Sequence, residues 1–192
     1  MFVIESWPDA ADKAGLRVVA STDTRIVANV LTPFPDLVVW ARTVPETWSD
    51  FLSRNQEICA PLALAGSPDH LLSRWRNQDL LPKTLSFLKD DIEQTLALTT
   101  ALGPARFLRV TWHPVTGSFA PILAAGAPLR TLCLYGEGTQ TFFHEDGTRP
   151  GSTVSPDPYA LVFCRAGLPV SLKPEFHAAH KGACFVLMIE GE

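Results

Sequence analysis

The regular succession of short β-rich runs in the second half of the chain is the feature that most constrains its fold. From Phe107 onward, apolar, β-branched and aromatic runs are separated by clusters of Gly, Pro and Asp. About seven or eight strands at this spacing are typical of an antiparallel sandwich or barrel. The predicted strands are residues 107–112, 118–123, 129–135, 140–143, 159–164, 169–172 and 183–189.

Before Gly103 the sequence favours helices, with two short strands predicted at residues 16–20 and 37–40. The clearest helix covers residues 85–102, where apolar side chains recur at steps of three and four and polar side chains occupy the other face. Gly103 and Pro104 end it. We expect this amphipathic helix to pack on a sheet.

Prolines mark the other helices and one predicted loop. Pro45 and Pro68 each precede a stretch with helical periodicity, and proline suits the first helical turn. Residues 58–67 are predicted to form an ordered loop, because Pro61 and Gly66 interrupt an otherwise apolar stretch.

These elements predict an α+β fold. An N-terminal helical layer with short strands, residues 1–104, would pack on an antiparallel β-barrel or sandwich formed by residues 105–192. A chain of 192 residues with 46% hydrophobic residues has enough apolar material for one core, so we expect a single domain.

Composition also excludes several classes of partner. The formal net charge of −4 provides no basic surface for nucleic acid or an anionic membrane. The N-terminus lacks the pattern of a signal peptide, no apolar run approaches the ~20 residues that span a bilayer, and the four cysteines are scattered. We therefore expect a cytoplasmic protein that binds a small molecule, and a homodimer would fit the aromatic content.

A histidine-rich set of residues provides the candidate metal ligands. His144 and Asp146 are spaced to project from one face of a strand. A later histidine, His177 or His180, would complete the 2-His-1-carboxylate triad of non-haem Fe(II) enzymes, and Zn(II) is the other candidate. His-Glu-Asp-Gly is also typical of a polar turn, and His177 and His180 face one way only within a helical turn, so polar loops remain the alternative.

Residues 135–139, Tyr-Gly-Glu-Gly-Thr, form a glycine-rich connection between two predicted strands. Because no helix follows, the segment is neither a Walker loop nor a dinucleotide-binding turn. We predict a tight hairpin here, with close approach of the backbone to a ligand as the alternative. No Ser-His-Asp, Cys-His or Gly-x-Ser-x-Gly pattern is present, so nucleophilic catalysis is not expected.

Three segments together resemble the bacterial domain-of-unknown-function 1826 family. They are residues 34–42, Phe-Pro-Asp-Leu-Val-Val-Trp-Ala-Arg; residues 129–139, which hold Arg130, Tyr135 and Gly-Glu-Gly-Thr; and Phe176-His177 with the apolar run 184–189. The order of the pieces carries the likeness over most of the chain. The resemblance implies a cupin-like, double-stranded β-helix core, similar to that of 2-oxoglutarate/Fe(II) oxygenases.

The chain departs from this family at its metal-binding pair. The family has a His-x-Asp just before the Arg-Leu strand, and the matching residues here are Leu123 and Ala125, which cannot bind a metal. The late family histidine corresponds to His177 or, in a shifted alignment, to His180.

Two functions follow as expectations. The first is a non-catalytic protein that binds a small molecule or metal at the mouth of the barrel, where Arg130 would hold a carboxylate bidentately and Tyr135 would contact the ligand. The alternative is a metal-dependent oxygenase-like enzyme that uses His144, Asp146 and His177.

Overall fold

The computed structural model describes residues 17–33, 35–54, 61–78, 80–81, 86–103, 105–121, 123, 126–144, 153–165, 172–179 and 184–191. The strands are β1 Val18–Ser21, β2 Leu37–Trp40, β3 Leu62–Gly66, β4 Leu108–Val115, β5 Ser118–Phe119, β6 Leu129–Gly136, β7 Gly138–His144, β8 Leu161–Arg165, β9 Leu172–Ala178 and β10 Cys184–Gly191. The α-helices are α1 Thr47–Arg54, α2 Pro68–Asn77 and α3 Ser86–Leu102, and a 3-10 helix covers Thr24–Leu31.

The strands form two sheets. A seven-stranded sheet has the order β1-β2-β8-β6-β10-β4-β3, and a three-stranded sheet has the order β5-β9-β7. From β4 to β10 successive strands alternate between the two sheets, and a bridge from Phe142 to Val154 adds to the small sheet beside β7. This alternation is the arrangement of double-sheet jelly rolls, which include the cupins. The chain is therefore a cupin-like β-sandwich.

The large sheet has two faces with different neighbours. Leu132, Leu134 and Val186 pack with Phe142 and Phe176 of the small sheet, and we call this the inner face. Because side chains alternate along a strand, the intervening residues of β6 and β10 point the other way. They pack against α2 and α3, and we call this the outer face.

The first half of the chain contributes strands as well as helices. β1, β2 and β3 extend the large sheet at its two ends, so residues 1–104 are not a purely helical layer. The prediction of a loop at residues 58–67 is wrong for the second half of that stretch, where β3 pairs antiparallel with β4. Pro61 precedes β3 and Gly66 ends it, so neither residue interrupts the pairing. Within the described ranges, the helices are all too short or too polar to cross a membrane.

The glycine-rich connection at residues 136–138 is a corner between the sheets. The predicted hairpin is wrong, because β6 pairs with β8 and β10 in the large sheet whereas β7 pairs with β9 in the small one. Gly136 adopts a φ of 100°, which favours glycine. A Cβ on Gly138 would lie 2.3 Å from the carbonyl oxygen of His177, so the backbone can pass here only without a side chain.

Candidate functional site

A buried ion pair joins the outer face to helix α3. Arg42 follows β2, and its Nη1 lies 2.5 Å from Oδ1 of Asp91 in α3. The two side chains are only 8% and 12% exposed. Removing charges from water is costly unless they are paired and hydrogen-bonded, so the surroundings of this pair decide what it can do.

Strand β6 completes the hydrogen bonding of the pair. The hydroxyl of Tyr135 donates to Asp91 Oδ2 at 2.5 Å, so both carboxylate oxygens are bonded. Arg42 Nη2 donates to the Cys133 sulfur at 3.5 Å. Burial raises the pKa of the Cys133 thiol to about 12 and raises the pKa of Tyr135 well above its ordinary value. Both groups therefore stay protonated at neutral pH.

Tyr159 holds the other side of Arg42 with a strained backbone. It adopts a φ of 67°, a left-handed conformation that costs a bulky residue about 1–3 kcal/mol. Its carbonyl oxygen accepts from Arg42 Nε at 2.9 Å. Its amide donates to the Leu134 carbonyl at 2.7 Å, and its hydroxyl lies 2.8 Å from Ser49 Oγ. These hydrogen bonds hold Tyr159 in its unfavourable backbone conformation. Such conformations are found preferentially at active sites and ligand-binding sites.

A cavity of about 560 Å³ opens beside the ion pair, and both Arg42 and Asp91 line it. A neighbouring cavity of about 240 Å³ shares Trp40, Arg42 and Gln94 with it. We call the two together the Arg42 groove. Ligand pockets typically enclose about 300–1,000 Å³, and the larger cavity falls within this range. Its wall combines aromatic rings with charged and polar side chains. Its aromatic walls are Trp40, Trp48 and Phe87.

The aromatic walls are held in place by contacts of their own. The Trp48 and Phe87 rings lie 5.4 Å apart at 53°, and Trp48 also meets the Tyr159 ring edge-on at 6.2 Å. The indole Nε1 of Trp40 donates to the Thr22 carbonyl at 3.2 Å, and the Arg42 guanidinium lies 5.7 Å from the Trp40 ring centroid. The groove is thus pre-formed rather than assembled by a ligand.

The two residues predicted to bind a ligand lie on opposite faces of the large sheet. Arg130 shares the inner-face register of Leu132, and its Nε lies 3.3 Å from Oε1 of Glu190. Tyr135 is on the outer face and bonds Asp91. The structure therefore does not join Arg130 and Tyr135 in one site. Tyr135 lies behind the Arg42 groove, bonded to Asp91 that lines it, and both Tyr135 and Arg130 as ligand-binding residues stay predictions.

The backbones of His144 and His177 lie far apart on the ladder between β7 and β9. His144 pairs with Leu172 and His177 pairs with Thr139, so the two histidines are five residue pairs apart on one ladder, 177 minus 172. Five strand residues span about 17 Å, whereas ligands about 2.0–2.1 Å from one metal ion have donor atoms within about 4 Å of each other. His177 lies in a strand rather than a helical turn, exposed, with Nδ1 2.9 Å from Ser118 Oγ.

The remaining metal candidates, Asp146 and His180, lie outside the described residues, so their role stays a prediction. Leu123, at a position where the family that the sequence resembles has a metal ligand, packs against the apolar inner-face cluster. Within the described ranges, no three His, Cys, Asp or Glu side chains are placed to hold a metal ion. The iron or zinc centre that the resemblance implies therefore stays a prediction.

The local sequence pattern does not identify this site, because neither Asp91 nor Arg42 belongs to a recognised motif. Asp91 lies three residues after Leu88 and four before Thr95, both buried, so it occupies the apolar stripe of α3. A carboxylate within such a stripe is a signal of a buried partner. Arg42 ends the segment that resembles the known family, and that position was the available signal for the cation.

Fold and site together define a class: a cupin-like β-sandwich with a candidate ligand groove on its outer face. A Pseudomonas putida prolyl-4-hydroxylase is similar at 10% identity over 87% of this chain and 97% of its own, with a TM-score of 0.45. A Trichoplax adhaerens prolyl hydroxylase, solved with a hypoxia-inducible-factor peptide fragment, has 9% identity over 86% of each chain and a TM-score of 0.44.

A cupin-2 domain protein from Shewanella frigidimarina is similar at 15% identity over 44% of this chain and 71% of its own, with a TM-score of 0.29. No protein-family model and no curated protein matches the sequence. At these identities no residue role is carried over, and the strand order described above defines the fold.

Proposed function

We propose that this protein is a non-catalytic small-molecule-binding protein and that the Arg42 groove is its binding site. The observation that carries the proposal is the buried Arg42–Asp91 pair at the floor of an aromatic-walled cavity of about 560 Å³. Among the described residues, by contrast, the centre of the inner face is occupied by apolar side chains that pack against one another.

Stability alone does not account for the ion pair. Well-packed apolar residues of similar volume hold two elements together as well as a buried ion pair, or better by about 1–4 kcal/mol. Tyr159 does not line the cavity, but its strained backbone holds Arg42 and its ring contacts Trp48, and both of those residues do. Two costly features in and beside one cavity support a binding role for that cavity.

The protonation and bonding of the floor support binding rather than catalysis. A general base or nucleophile needs a pKa near the working pH or an activating neighbour. Cys133 and Tyr135 have pKa values raised by burial, and the Asp91 oxygens are already bonded by Arg42 and Tyr135. The Arg42–Asp91 pair and the two groups behind it therefore provide no group poised to transfer a proton.

The proposal is tested by mapping fragment binding on the protein. A fragment library containing aromatic amines, alcohols and acids is screened by amide chemical shifts in NMR spectra of the ¹⁵N-labelled protein. We expect bound fragments to shift amides of residues 40–48 and 87–94 and to quench tryptophan fluorescence from Trp40 and Trp48, which line the groove.

A blocking variant supplies the control. Gln94 is exposed and lines both parts of the groove, so Gln94→Trp should fill it and abolish binding while the protein stays folded. Arg74→Trp, in the exposed cavity on α2, is the matched change elsewhere and should leave binding intact. Fragments that bind equally well to Gln94→Trp, or that shift only amides far from the groove, would contradict the proposal.

A further inference from the structure

We propose that the Arg42 groove selects an organic cation, an ammonium or guanidinium group carried on an apolar body. This inference rests on the proposed function, since it names the class of ligand for the same groove. Its basis is the distribution of charge around the 560 Å³ cavity and the aromatic rings beside it.

Among the residues that the structure describes, those that line the cavity carry one negative charge in excess. Its charged lining residues are one cation, Arg42, and two anions, Asp90 and Asp91, so their sum is −1. Arg42 and Asp91 neutralise each other at 2.5 Å. Asp90 is exposed at the rim, and among the residues that the structure describes it forms no ion pair. A cation entering the groove would supply the missing partner.

The walls complement the same kind of ligand. Trp48 and Phe87 line the cavity together, and the face of an aromatic ring attracts a cation within about 6 Å of its centroid. The groove already contains one such contact, because the Arg42 guanidinium lies 5.7 Å from the Trp40 centroid. The charged group of a ligand would lie near Asp90 and these ring faces, and its apolar part would pack against the rest of the wall.

An anionic ligand is disfavoured by the same contacts. Each nitrogen of Arg42 already donates to a protein acceptor: the Tyr159 carbonyl, Asp91 and the Cys133 sulfur. An anion would have to share this guanidinium with Asp91 and would lie close to the Asp90 carboxylate, and like charges in a partly desolvated cavity repel.

The test uses three probes that share one ring and differ in charge: benzylammonium, benzyl alcohol and benzoate. Their dissociation constants are measured by NMR titration or calorimetry at low salt. We expect benzylammonium to bind about tenfold more tightly than benzoate, with the alcohol between them. Asp90→Asn should weaken benzylammonium binding about fivefold and leave benzyl alcohol unchanged.

Glu93→Gln is the matched control, because it removes the same charge from α3 at a residue that does not line the cavity. Its affinity for benzylammonium should stay within about twofold of the parent. Benzoate or benzyl alcohol binding in the groove as tightly as benzylammonium would overturn the cation preference and leave the binding function standing. If Asp90→Asn bound benzylammonium with unchanged affinity, the cation preference would likewise be overturned and the binding function would stand. Failure of all three probes and of the fragment library would overturn both proposals.

Discussion

The two faces of the large sheet differ in what their side chains do. At the centre of the inner face, Leu134 and Val186 pack against Phe142 and Phe176, whereas the charged pair of this face, Arg130 and Glu190, lies at one end of it. The outer face, one residue further along the same strand, places Tyr135 against a buried ion pair and a groove. Because successive side chains of a strand point to opposite faces, a single strand serves packing and binding together. A site at the barrel mouth was the expectation, whereas the described groove lies on the helix-covered face.

The largest effect on stability is expected from a substitution that alters the inner face alone. Phe176 is fully buried, and Phe176→Ala should lower the free energy of unfolding by about 3–5 kcal/mol. The substitution removes apolar contacts and leaves a cavity, and each of these destabilises the folded protein. Urea denaturation measures the change. Benzylammonium binding at the groove should persist in the folded fraction.

Two further variants keep the test informative if Phe176→Ala does not fold. Phe176→Leu should cost about 1 kcal/mol, since most of the volume is kept. Phe107→Ala, at a side chain that is 40% exposed, should cost less than about 1 kcal/mol. If Phe176→Leu abolished ligand binding without unfolding the protein, the two faces would not be independent.

The next largest effect should come from the outer face. Asp91→Asn leaves the Arg42 charge buried without its counter-charge and should cost about 3 kcal/mol, again measured by urea denaturation. Replacing both partners, Arg42→Met with Asp91→Leu, should recover most of that loss but abolish binding of the fragments that occupy the groove. A double variant that stays as unstable as Asp91→Asn would instead mark the pair as a structural clamp.

The smallest expected effect is the loss of stability that one buried cysteine on each face causes as the pH rises. Burial raises the pKa of Cys133 on the outer face and of Cys164 on the inner face to about 12, from an ordinary value of 9.0. The unfolded chain therefore loses these protons first, so stability is lost as pH rises above about 9. At pH 9 the loss should be about 0.4 kcal/mol per thiol, and it should grow toward pH 12.

The measurement is the difference in unfolding free energy between pH 7 and pH 9 under reducing conditions. Cys133→Ala and Cys164→Ala should each reduce this difference by the same amount, whatever either substitution does to stability at pH 7. A reduction seen only with Cys164→Ala would mean that water reaches Cys133 through the groove.

Much of the β architecture could be predicted from the sequence, because the signal is local. The runs at 129–135 and 183–189 correspond to β6 and β10, and the helix predicted at 85–102 corresponds to α3. The failures have a common cause. β3 is a strand because β4 provides its hydrogen-bonding partners, and the segment around His177 is a strand because β5 and β7 flank it. Neither partner is visible in a local pattern.

The candidate site depended still more on distant contacts. Arg42 and Asp91 are separated by 49 residues, and Tyr135 and Asp91 by 44. Periodicity identifies α3 as amphipathic, but it does not show which strand residue meets its carboxylate. The same limitation applies to His144 and His177, whose residue types fit a metal site while the strand register holds them apart.

The sequence by itself indicated most of the helices and strands, the alternation of buried and exposed positions along them, and the apolar residues Leu123 and Ala125 where the family that it resembles has a metal-binding pair. Only the tertiary structure decided which sheet each strand joins and which polar side chains meet. The physical reason is the range of the interactions. Hydrophobic periodicity acts within one element, whereas a buried ion pair is stable only when the packing of separate elements brings both charges out of water together.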